Sequence, residues 1–163
     1  MSRQITELES LLAQMIVEHK KLLASLEVQQ AAMKKCDLKV MDEVSTAQEA
    51  CRLRISGLEQ KRRLAVAQVA REAKLIGDVT LRKLAAVYPA RAEALLKLRT
   101  ELKTVTEQIR TRAYISSRVA NAVLGHLNTV VRLVAGAVEK AGIYNKRGIP
   151  RVSNRIGVME AVG

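Results

Sequence analysis

At 163 residues the chain has the size of one domain, long enough to bury a core and short for two. Nearly half of it (48%) is hydrophobic, yet there is no Trp, no Phe and only three Tyr, which argues against a sandwich or barrel and for helices packed through Leu, Val, Ile, Ala and Met. A formal net charge of +12 excludes a neutral bystander and points to acidic partners: nucleic acid, anionic lipid or an acidic protein surface.

The opening "MSRQITELES" has no continuous apolar stretch and does not read as a signal peptide. Instead Ile5, Leu8, Leu12, Met15, His19, Leu22, Leu26, Gln29, Met33 and Cys36 keep an unbroken 3–4 spacing, which predicts a long amphipathic helix. A break at "CDLK" follows, with Asp37 as the N-cap of the next helix. The second stripe is Met41, Val44, Gln48, Cys51, Ile55, Leu58, Arg62, Ala65, Val69, Glu72 and Ile76, and Gly77 with Asp78 is expected to stop it. A short linker folds two such helices into an antiparallel hairpin. If Cys36 faces Met41, then Leu26 faces Cys51, Leu8 faces Val69 and Gln29 faces Gln48. Two facing amides satisfy each other and fix the alignment, where a lone buried amide is costly.

"DVTLRKLAAVYP" reads as a short helix started by Asp78 or Thr80 and ended before Pro89. Pro89 then suits the first turn of a third long helix. Its stripe is Leu95, Leu98, Leu102, Val105, Ile109, Arg112, Ser116, Val119, Val123, His126, Val130, Leu133 and Ala137, and Lys140 with Gly142 makes the stop. The expected fold is therefore all-α: an antiparallel helical hairpin plus a longer third helix, an elongated three-helix bundle or coiled coil, with a flexible C-terminal tail. The bundle covers 1–141, with helices at about 3–36, 38–76, 79–87 and 89–141; the basic tail covers 142–163.

The lengths do not match. The third helix runs roughly 78 Å and each hairpin arm roughly 54 Å, at a rise of 1.5 Å per residue. If the helix starts level with the hairpin's open end, it reaches the Asp37 turn near His126 and its last turns have no neighbour. Those turns carry a second apolar face: Ala120, Leu124, Leu127, Val131, Val134 and Val138. An uncovered aliphatic patch marks an interface, for a second copy of the chain or for a client helix lying in the groove. The alternative is a bend at Gly125 that tucks the end back into ordinary core. Gly125 and Gly136 also admit a close helix approach or a kink.

Catalytic patterns are lacking. His19 and His126 sit singly on helical stripes, Asp42 and Glu43 suit a helix start, and Cys36 with Cys51 forms no metal spacing. "KRR" at Lys61 to Arg63 reads as a solvated helical face. No phosphate loop, nucleophile elbow or zinc pattern is seen, so the expectation is a protein without enzymatic activity, cofactor or metal. The window Val119 to Val138 contains Asn121, His126, Asn128 and Arg132 and reads as too polar to span a membrane. From Gln108 onward, Arg110, Arg112, Arg118, Arg132, Lys140, Lys146, Arg147, Arg151 and Arg155 face only Glu139 and Glu160. Nucleic-acid binding is a weaker reading, because stacking platforms are scarce; a self-associating structural coiled coil is another.

With the hairpin, the long third helix and the tail in place, the chain resembles the FlgN-type flagellar export chaperones. The specific stretch is "NAVLGHLNTVVRLVAGAVEKAGIYNKRG", Asn121 to Gly148; "KKCDLKVMDEV" and "LEQKRRL" fit with lower specificity. The strong positive charge departs from the near-neutral or acidic character expected of such chaperones. The resemblance implies a cytoplasmic, non-enzymatic protein that escorts hook-associated (hook–filament junction) proteins to the type III export apparatus. It implies that Ala120, Leu124, Leu127, Val131, Val134 and Val138 line a groove for the client's C-terminal helix. It further implies that the tail, through Ile143 and Tyr144, engages the export gate and its ATPase complex.

Overall fold

The computed structural model describes residues 2–77 and 79–142, with side-chain burial for 3–77 and 79–137; the tail, with Ile143 and Tyr144, lies outside the described residues, as does Asp78. Among the described residues the fold is all-α. Helix α1 is Ser2–Lys35, α2 is Leu38–Glu72, α3 is Leu81–Val87, a 3-10 turn covers Pro89–Arg91, and α4 is Ala92–Gly142. The chain forms two compact units, Met1–Ala120 and Asn121–Gly163.

In the first unit the apolar stripe of α1 is the core: Ile5, Leu8, Leu12, Met15, Leu22, Leu26 and Met33 are all buried. His19 is absorbed locally, its Nδ1 donating to the Met15 carbonyl at 2.6 Å. The α1–α2 turn is two residues long and closed by the backbone. Cys36 takes a left-handed conformation (φ 53°); its N–H donates to the Met33 carbonyl, and that of Asp37 to the Ala32 carbonyl. This is a Schellman closure with cysteine where glycine is usual. Asp37 also caps α2, accepting from Val40 N, as expected.

The hairpin pairs α1 with α2 as expected at the amides: Gln48 Nε2 donates to Gln29 Oε1 at 3.2 Å. Leu8 and Val69 meet in one buried cluster with Ile5, Leu11, Leu12, Ala65, Leu84 and Leu95. Cys51, expected opposite Leu26, donates its thiol to the Glu18 carbonyl at 3.1 Å, about two turns further down α1. Helix α2 ends at Glu72, earlier than the expected residue 76. A second Schellman closure stops it, with Lys74 at φ 51° and bonds from Lys74 N to Arg71 O and from Leu75 N to Ala70 O.

Thr80 caps α3 through Lys83 N, and Leu84 drives this short helix into the cluster at the hairpin's open end. Because α3 occupies that end, α4 starts well up the side of α1. Arg91 pairs with Glu9 (3.3 Å), Lys20 with Glu101 (2.6 Å) and Arg112 with Glu27 (3.2 Å), so α4 runs parallel to α1 at a sequence offset of about 81 to 85. At that offset Lys35 is level with residues about 116–120, where the first unit ends, and not with His126 as the lengths alone suggested. Among the described residues of α4, Leu95, Val105 and Ser116 are buried.

Candidate functional site

The second unit contains the part of α4 that begins at Asn121. Here the 3.6-residue period carries aliphatic side chains without the neighbours they find in the first unit. Leu124 is 63% exposed, Leu127 50%, Val130 54%, Val131 65% and Val134 57%. At 100° per residue these five fall on one arc roughly 120° wide. The far side carries Asn121, Asn128, Thr129 and Arg132 together with Gly125 and Gly136. A side chain at either glycine would meet nothing within 4 Å, and α4 is helical through both. The glycines, expected to admit a close helix approach or a kink, lie behind the aliphatic arc. Such a face does no covalent chemistry. It is an apolar, nearly charge-free strip, the kind of surface on which an amphipathic helix can lie.

The sequence matches the family model described as FlgN protein over residues 1–151. The chain belongs to the FlgN family. No curated protein and no solved structure matched significantly. The FlgN family is one of flagellar export chaperones.

Placed on this FlgN-family chain, the residues expected to line the client groove do not share one environment. Leu124, Leu127, Val131 and Val134 are open on the arc. Ala120 is half-buried and closes the first unit. The side chain of Val138 lies outside the described residues. Val130 was missed: the periodicity assigned it to the hairpin seam with Leu133, yet both are exposed, Leu133 at 69%. The signal was there, since the seam and the second face merge into one arc once the partner helix stops. By length and composition alone α4 would also pass for a membrane span, with mean hydropathy 1.2 over its best window and none of that window buried. This differs from the expectation drawn from its Asn, His and Arg residues. Asn121, Asn128 and Arg132 gather on one face, whereas His126 falls beside Val130 at the edge of the aliphatic arc.

The first unit holds its charges in structural roles. Glu18 accepts from Lys21 and Arg54, both within 2.7 Å, and these partners hold its carboxyl down at about 2. Burial, with the Glu18 carboxylate beside it, pushes the Cys51 thiol up, so that sulfur is a neutral packing group. Within "KRR", Arg62 and Arg63 both donate to Glu59 and hold it at about 2, Arg62 contributing most.

Proposed function

We propose that this chain is a cytoplasmic escort that captures the C-terminal helix of a hook-associated (hook–filament junction) protein on Leu124, Leu127, Val131 and Val134, with Ala120 and Val138 at the ends of the groove. It hands the client to the export apparatus without catalysis, cofactor or membrane insertion. The supporting observation is the run of large aliphatic side chains at least half exposed along α4, in a family of export chaperones. Covering about 600 Å² of apolar surface in a complex would be worth on the order of 15 kcal/mol gross. Association and ordering remove most of that, leaving a complex that forms and releases without a chemical step. Ile143 and Tyr144 in the basic tail are assigned to the export gate and its ATPase complex, on the family resemblance of the "GIYNKRG" stretch. The test is titration of the full chain with a synthetic peptide of the client's C-terminal helix. Saturable binding that is lost in the Leu127→Asp/Val131→Asp variant supports the groove. Binding retained in that variant refutes it. Deletion after Gly142 should leave peptide binding intact and abolish gate binding.

A further inference from the structure

From Asn121 onward the exposed aliphatic surface is broader than the arc alone. Ala137 and Leu133, also exposed, extend it from Leu124 round about half the helix circumference, with His126 at the margin. The opposite half carries Asn121, Asn128, Thr129 and Arg132. This division is how α4 reaches a mean hydropathy of 1.2 over its best window and still keeps a wet side. A helix crossing a bilayer would strand those polar groups in hydrocarbon, whereas one lying in the interface leaves them in water. The charge is as uneven as the apolarity. No acidic residue occurs between Glu107 and Glu139, and from Asn121 to the end six Lys and Arg oppose only Glu139 and Glu160. Five of the six follow the arc directly, from Lys140 to Arg155.

We infer that this face also lies on an anionic lipid surface, in the plane of the membrane and without crossing it. Two features of one segment select that occupant. Aliphatic side chains over half a cylinder match a plane, being wider than the strip one partner helix covers. The cations that follow, with almost no acid among them, match phosphodiester headgroups. Attachment of an amphipathic helix grows with its buried apolar area and with its attraction to anionic lipid. The described part of this face has no aromatic ring, so the charge has to contribute. Each Lys or Arg near such a surface raises the binding constant about fivefold. Neutral lipid would take the arc and leave the charge unanswered, and nucleic acid would take the charge and leave the arc in water. An acidic membrane answers both. The inference uses no part of the client reading, although some side chains are common to the two.

At low salt the full chain should cosediment with extruded vesicles containing about 30% phosphatidylglycerol, and at least about tenfold less with vesicles of phosphatidylcholine alone. Deletion after Gly142 removes Lys146, Arg147, Arg151 and Arg155 and should weaken that binding on the order of a hundredfold. In a Cys36→Ser background, with Cys51 buried, an environment-sensitive fluorophore at Leu127→Cys should shift to the blue on adding the acidic vesicles. The same label at Thr129→Cys, on the polar side, should not. Absence of cosedimentation, or equal cosedimentation with both kinds of vesicle, overturns the inference. A blue shift at neither position leaves charge as the whole contact and overturns the assignment to the arc. A blue shift at both places the helix inside the bilayer on all sides and overturns the in-plane placement. The two readings of this face fail separately. Binding of the client-helix peptide by a chain that ignores acidic vesicles defeats this inference and leaves the escort reading standing; a chain that binds the vesicles and not the peptide does the reverse.

Discussion

The Leu127→Asp/Val131→Asp variant can be taken through quantitatively. Full burial of a Leu or Val side chain is worth about 1.5–3 kcal/mol. With half of Leu127 and 65% of Val131 open in the free chain, covering them by a client contributes about 1–2 kcal/mol each. An aspartate in either place also has to lose water without a partner, which adds about 1–3 kcal/mol per carboxylate. The double variant should therefore lose at least about 4 kcal/mol of binding, a factor of roughly a thousand in Kd. Folding should barely register the change, because these side chains stand in solvent. The helix-propensity cost is about 0.5 kcal/mol per position, on a part of α4 outside the first unit's core. Fluorescence anisotropy of a labelled client-helix peptide reads the first quantity, and far-UV circular dichroism with a urea titration reads the second. A Kd within about tenfold of the parent, with unchanged helicity, would refute the assignment of the groove.

Three further outcomes are expected of the first unit. Gln48→Leu strips Gln29 of its donor and should cost about 1–3 kcal/mol in urea unfolding, while Gln29→Leu/Gln48→Leu together should recover most of it. Glu18 and Glu59 titrate at about 2 in the folded chain against an ordinary 4.5, so their stabilisation is complete above the ordinary value and is lost as pH falls toward about 2; Glu18→Gln should flatten part of that acid loss, measured as the urea midpoint against pH. Lys74 sits at φ 51°, a conformation costly for a residue with a side chain, so Lys74→Gly should raise stability by about 0.5–1 kcal/mol in the same assay.

Much of the hairpin was legible because its signals are local. The 3–4 stripe of α1, the Asp37 cap and the facing amides of Gln29 and Gln48 each follow from spacing and from the cost of an unpaired amide. The end of α2 was not legible, since its closure uses Lys74 in a conformation that composition associates with Gly77 a few residues later. The starting level of α4 was hidden for a different reason: it depends on where α3 packs, and only Leu84 entering the core settles that. At the candidate site the aliphatic face could be read, but its width could not. Periodicity continues unchanged past the point where a partner helix ends, so Val130 and Leu133 looked like seam residues. The position of Gly125 and Gly136 behind the arc, by contrast, follows from helical angles alone.

The connection between the first two helices leaves no slack, because Cys36 and Asp37 are the whole of it and Asp37 both finishes one helix and begins the next. A residue inserted in either arm rotates everything beyond it by 100°, with no loop to take up the error. One insertion in α2 ahead of Gln48 would swing that amide away from Gln29 and bring a different flank of the helix inward. Lengthening is tolerable only in matched increments on both arms, near whole multiples of the helical repeat such as seven or eleven residues. The turn thus acts as a vernier, tying any change in reach of one arm to an equal change in the other.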